Sequence, residues 1–190
     1  MEYRVLLFDE PGPQNTKECA VLVKELVAQG VSRYVVVAST RGDTAREFAT
    51  ALSPDNSELV IVTHSVGFSE PGVWEFDRSL ADDLTAAGVK VLPLTVLTHS
   101  LEKAFVDKYS GAYPTQIVAE SLRRWGQGAK VACEIVMQAV DSGVVPEGEN
   151  VLAMGGTVRG ADTVMLIRAA ASKRFLELKV LRTFAHPNNF

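Results

Sequence analysis

A chain of 190 residues with 47% apolar content holds enough material for one globular domain with a substantial core and too little for two comfortable ones. A formal charge of −4 and 7% aromatic residues lack the basic footprint that contacts to a phosphodiester backbone demand, which excludes nucleic acid as the principal partner and leaves small anions open. No stretch reaches the roughly 20 apolar residues of a membrane span, and the opening Met1-Glu2-Tyr3-Arg4-Val5-Leu6-Leu7-Phe8-Asp9 is not laid out as a signal peptide. The expectation is a cytoplasmic protein with no membrane partner, a single domain over residues 1–190.

Short β-branched runs alternate with longer segments of helical period, the pattern of a mostly parallel sheet covered by helices on both faces. The first strand is expected over Arg4 to Phe8, followed by a stiff Pro11-Gly12-Pro13 link. A helix then runs from Asn15 to Ala28, with Asn15 or Thr16 as its N-cap and Gly30 past its end. Strands follow at Tyr34 to Ala38, Leu59 to Thr63, Val89 to Leu92 and Val151 to Met154. Helices are expected at Asp43 to Leu52, Asp77 to Ala87, Pro114 to Arg123 and Ala129 to Val140. The tail, Arg174 to Ala185, alternates through Phe175, Leu176, Leu178, Val180 and Leu181 and suits an added strand better than a helix. Cys19 and Cys133 sit inside apolar helical patterns and belong to no CxxC, which reads as buried hydrophobes.

The strongest local signal is Val35-Val36-Val37-Ala38-Ser39-Thr40-Arg41-Gly42-Asp43-Thr44-Ala45, an apolar strand that breaks into a small polar turn and opens a helix. First-turn amides have no partner within a helix, and the helix dipole favours an anion there. Gly42 would let the backbone approach a ligand, while the hydroxyls of Ser39, Thr40 and Thr44 and the guanidinium of Arg41 are donors to phosphate oxygens. The plainer reading makes Thr40 or Asp43 an ordinary cap.

A second turn, Gly155-Gly156-Thr157 through Asp162-Thr163, leaves a strand by paired glycines without the GxGxxG order of a dinucleotide site. It offers either a backbone surface for a ligand or a turn that needs glycine's positive φ. His64 and His99 follow strand ends in Thr63-His64-Ser65-Val66-Gly67-Phe68 and Leu97-Thr98-His99-Ser100. A histidine there can hydrogen-bond a ligand or act as general acid/base, and no third group stands at metal-ligand spacing, so no metal is expected. Near Arg123-Arg124-Trp125-Gly126-Gln127-Gly128-Ala129-Lys130, Gln127 is a ligand candidate. Lys130 and Glu134 are i,i+4 neighbours that form either a surface ion pair, the default, or a lysine held for an anion. Asn15 and Thr16 are most simply caps, and the same helix-start donors would face a ligand in the crevice. No nucleophile elbow, HExxH or GxxxxGK[ST] is present.

Taken in order, Pro11 to Thr16, Ala38 to Ala45, Val62 to Phe68, Leu122 to Val131 and Gly155 to Thr163 resemble the stand-alone proteins related to the pyruvate kinase C-terminal α/β domain. The resemblance spans nearly the whole chain. It implies a three-layer α/β/α sandwich, a ligand crevice at the strand ends and, as in some members, bound FMN. It also implies a phosphate clamp on Ser39, Thr40, Gly42, Asp43, Thr44 and Ala45. The rest of the ligand is expected against His64, Phe68, Gly155, Gly156 and Thr157, with Thr63, Gly67, Asp162 and Thr163 as further candidates. Two places depart from the pattern: Arg41, where a small residue is expected, and Ser110-Gly111-Ala112, where paired glycines are. The chain is too short for a catalytic barrel of about 250 residues, so pyruvate kinase activity is not expected. The expectation is a binder of FMN or a similar phosphorylated small molecule. The alternatives are an enzyme working with flavin or on a phosphorylated metabolite through His64 or His99, and a non-catalytic sugar-phosphate sensor. A homo-oligomer is compatible with the apolar content.

Overall fold

The computed structural model describes residues 4–189. They form one seven-stranded sheet in the order β1-β7-β6-β5-β2-β3-β4. The strands are β1 (Leu6–Phe8), β2 (Tyr34–Ala38), β3 (Glu58–His64), β4 (Lys90–Leu94), β5 (Asn150–Gly155), β6 (Thr163–Arg168) and β7 (Lys179–Pro187). All run in one direction except β6, which pairs antiparallel with both neighbours. The helices are α1 (Thr16–Ala28), α2 (Asp43–Ala51), α3 (Arg78–Ala86), α4 (Leu101–Tyr109), α5 (Pro114–Leu122) and α6 (Gln127–Asp141).

The alternation of side chains along the central strands sorts the core into two halves. Val35 and Val37 of β2, with Leu152 and Met154 of β5, face α1, α2 and α3 around Phe48 and Phe184. Val36, with Val151 and Ala153, faces α6 through Ala132, Val136 and Ala139. Buried on both sides, these strands read as the continuous apolar runs expected of a parallel sheet. The architecture is therefore the three-layer α/β/α sandwich expected from the sequence. Cys19 and Cys133 lie on opposite faces, both buried. Loss of hydration, then nearby carboxylates, raise both thiols, Cys133 to about 12, which makes them inert hydrophobes.

Several boundaries differ from the sequence reading. Arg4 and Val5 precede β1, and Asn15 belongs to a 3₁₀ turn (Pro13–Asn15) whose side chain caps nothing. Its Nδ2 donates instead to the Glu10 carbonyl at 2.9 Å. β6 departs from the sequence expectation, in which Thr163 closes the Gly155–Thr163 turn; it completes a hairpin with β5. α4 was not expected either, and none of its residues is buried, so no apolar face announces it. The tail does add a strand, preceded by a 3₁₀ turn (Ser172–Glu177). Among the described residues no helix is long and apolar enough to cross a membrane.

Candidate functional site

The chain leaves β2 for β3 and β4 on one side and returns to β5 on the other, so the sheet's order reverses between β2 and β5. In open α/β sheets the loops part at this point and leave a crevice beyond the strands' carboxyl ends. A cleft of about 880 Å³ lies there, within the usual range for small-molecule sites. Its walls come from the first turn of α1, the β2–α2 turn, the β3–α3 loop, the first turns of α6 and the β5–β6 turn.

The β2–α2 turn forms one end. Thr40, Arg41, Asp43 and Thr44 line the cleft, and the amides of Asp43 and Thr44 have no protein acceptor among the described residues. Ala45 is different, because its amide donates to Ser39 Oγ at 3.2 Å and its side chain is buried. Ser39 therefore caps α2 from within and holds the turn open at Asp43 and Thr44. Gly42 corrects the sequence reading. Its φ is +113°, and a Cβ built on it would meet Leu80 Cδ2 at 2.5 Å, so packing against α3 and the left-handed backbone call for glycine here, a role the sequence did not show.

The β5–β6 turn corrects it again. Neither Gly155 nor Gly156 has a positive φ. A Cβ on Gly155 would stand 2.2 Å from the Gly128 carbonyl, and one on Gly156 the same distance from the Gly160 carbonyl; both glycines allow backbone to press on backbone. Asp162 and Thr163 are buried, and the Thr163 hydroxyl donates to Asp162 Oδ1 at 2.8 Å. The Thr16 hydroxyl accepts the Ala161 amide at 3.0 Å, which ties α1 to this turn. Of the candidates, Thr16, Ser39, Thr40, Asp43, Thr44, Thr63, His64, Phe68, Gln127, Lys130 and Gly156 line the cleft together with His99. Asn15, Gly42, Ala45, Gly67, Gly155, Thr157, Asp162 and Thr163 do not; they build its frame.

The opposite wall carries a buried polar ladder on α6. Lys130, Glu134 and Gln138 succeed one another at i,i+4 and are each at most 4% exposed. The Lys130 ammonium donates to Glu134 Oε2, Glu134 Oε1 accepts from the Thr98 amide (2.8 Å) and hydroxyl (3.1 Å), and Gln138 donates to the Thr95 carbonyl at 2.7 Å. The surface ion pair expected by default is thus a buried one that anchors the loop carrying His99. His99 stands exposed at the rim. Loss of hydration, then the charges of Lys130, Arg123 and Lys103, hold its imidazole below the ordinary value against the opposing pull of Glu134.

Charge on the cleft is mixed. Lys130 is neutralised by Glu134, and Arg123 is bound to Glu120 at 2.6 Å and to Gln127 at 2.6 Å. Lys17, Arg41 and Arg159 line the cleft with no ion pair among the described residues. Glu75, absent from the sequence reading, joins His64 on the wall. Its signal is weak in one dimension, since it lies eleven residues from its partner within an irregular loop. The Lys130, Glu134, Gln138 spacing on an otherwise apolar helix was the readable sign of the buried ladder.

No family model matches the chain. Among solved structures it is similar to the pyruvate kinase of Cryptosporidium parvum in complex with ADP, with 14% identity and a TM-score of 0.43 over 82% of this chain and 24% of that one. A second pyruvate kinase structure from the same organism gives 14% identity and a TM-score of 0.42, covering 84% of this chain and 24% of that one. The chain spans about a quarter of the length of these neighbours.

Proposed function

We propose that the protein binds a phosphorylated small molecule, with its phosphate at the β2–α2 turn, and that FMN is the ligand that fits the cleft best. The observation that carries this reading is the pair of unpartnered amides of Asp43 and Thr44 opening onto the cleft beside Arg41 and the hydroxyls of Thr40 and Thr44. Amides at a helix start, a free guanidinium and two hydroxyls make an anion cradle that needs no metal. Asp43, Glu47 and Glu75 on the same cleft disfavour a polyanion and favour a ligand with one anionic end and a polar or aromatic body.

Phe68, 39% exposed, presents a ring beside His64, and His99 lies 6.4 Å beyond it. Aromatic faces of this kind stack on a flat heterocycle, which favours FMN over a sugar phosphate that would leave Phe68 uncovered. The two inert thiols suit a reducing compartment, and the cytoplasm is the location we assign.

The test is an absorbance spectrum of freshly purified protein, followed by mass spectrometry of what acid releases. Flavin absorbance with released FMN supports the reading. A colourless protein that does not take up added FMN removes the flavin and leaves a sugar phosphate or another nucleotide for the same turn.

A further inference from the structure

The loop after β3 doubles back so that Glu75 Oε2 meets His64 Nδ1 at 3.2 Å, with both residues on the cleft wall. The loop is pinned at several points. Trp74 Nε1 donates to Thr63 Oγ1 at 2.8 Å, the Gly67 amide donates to the Val73 carbonyl at 2.9 Å, and Trp74 stacks on buried Phe76 with ring centres 5.5 Å apart. The Phe68 ring lies 3.9 Å from the imidazole centre and covers one of its faces. The imidazole is thus held by an edge and a face, while Nε2 has no protein partner among the described residues.

Burial opposes the charge on Glu75. Hydrogen bonds from His64 and Ser69 and the charges of His64 and Arg41 outweigh it and hold the carboxyl below its ordinary value. An ionised carboxylate only accepts. When the ring is neutral its proton must therefore sit on Nδ1, which leaves a lone pair on Nε2, the logic by which outer partners fix a histidine's tautomer.

We propose that Glu75 is a positioning residue that fixes His64 as the cleft's proton acceptor, directed at an O–H or N–H group of the molecule bound at the strand ends. That group donates into the Nε2 lone pair. Full transfer leaves the electron pair and the negative charge on the ligand and a doubly protonated imidazolium on His64, opposite a carboxylate that stays ionised. The ligand's placement rests on the reading of the cleft given above; the state of the ring does not.

Two-bond proton–nitrogen NMR of the imidazoles in the ligand-free, full-length chain tests this, with His64→Gln assigning the His64 signals among the three histidines. The expected result is a neutral His64 protonated on Nδ1. That preference is lost in Glu75→Ala and weakened in Glu75→Gln, whose amide can donate to Nδ1 as well as accept from it. Carbethoxylation of His64 by diethylpyrocarbonate, mapped by peptide mass spectrometry, should slow several-fold in Glu75→Ala. A wild-type His64 protonated on Nε2, or a tautomer and acylation rate unchanged in a folded Glu75→Ala variant, would overturn the proposal. Because no ligand is present, failure here is distinguishable from failure to release or bind FMN.

Discussion

Asp162 Oδ2 accepts the amide of Gly12 at 3.0 Å across 150 positions of sequence. The same oxygen accepts the Thr157 amide at 3.0 Å, so one buried carboxylate joins the loop before α1 to the β5–β6 turn. Replacing it by alanine strands two amides, one of them fully interior, at a cost of about 3 kcal/mol. Urea denaturation of Asp162→Ala should show that loss with an unchanged slope. Asp162→Asn, which keeps an acceptor, should lose less.

Close backbone contact at the end of β5 makes Gly155 intolerant of any side chain. A Cβ there would sit 2.2 Å from the Gly128 carbonyl and 3.0 Å from Val131 Cβ, and backbone cannot rotate away as a side chain can. Gly155→Ala is expected to destabilise by about 3 kcal/mol, read as a lower Tm.

Val158 is strained in the opposite sense. It adopts φ 64°, a left-handed conformation rare for a β-branched residue, and is 92% exposed. Val158→Gly relieves about 1–2 kcal/mol of steric cost and gives back less than about 1 kcal/mol to the freer unfolded chain. A raised Tm is the expected outcome, and calorimetry checks it.

The pH response follows from His99. Its folded value is depressed by lost hydration and by Lys130, Arg123 and Lys103, with Glu134 opposing, so the unfolded chain binds the proton more readily. Stability from this group is present above the unfolded value, near about 6.5, and is lost as pH falls from there through the folded value. His99→Gln should flatten that acid limb in denaturation curves taken between neutral pH and the onset of carboxylate protonation.

Much of the fold was legible in sequence because β2, β3 and β5 are buried on both faces and carry uninterrupted apolar runs, β-branched in β2 and β3, while α1 and α6 carry wide apolar stripes. β6 escaped because Thr163–Arg168 follows a glycine-rich turn that looks like continuing loop, and α4 because it buries nothing. The lining of the cleft was legible where donors cluster in sequence, as at Thr40, Arg41, Asp43 and Thr44. It was misread where glycine and acid serve the frame: Gly42 yields to Leu80, Gly155 to Gly128, and Asp162 to Gly12, each a partner distant in sequence. Glu75 escaped for the same reason, since only the folded loop brings it to His64.

The most direct test of the central claim is an amide chemical-shift titration of the apo protein with FMN, run in parallel on Arg41→Ala. The Asp43 and Thr44 amides are expected to move most with the phosphate, Phe68 and its neighbours with the ring, and Arg41→Ala is expected to weaken binding about tenfold, the loss of one charge-assisted contact. Saturable shifts confined to residues outside the cleft, or none at Asp43 and Thr44 with either FMN or inorganic phosphate, would contradict it.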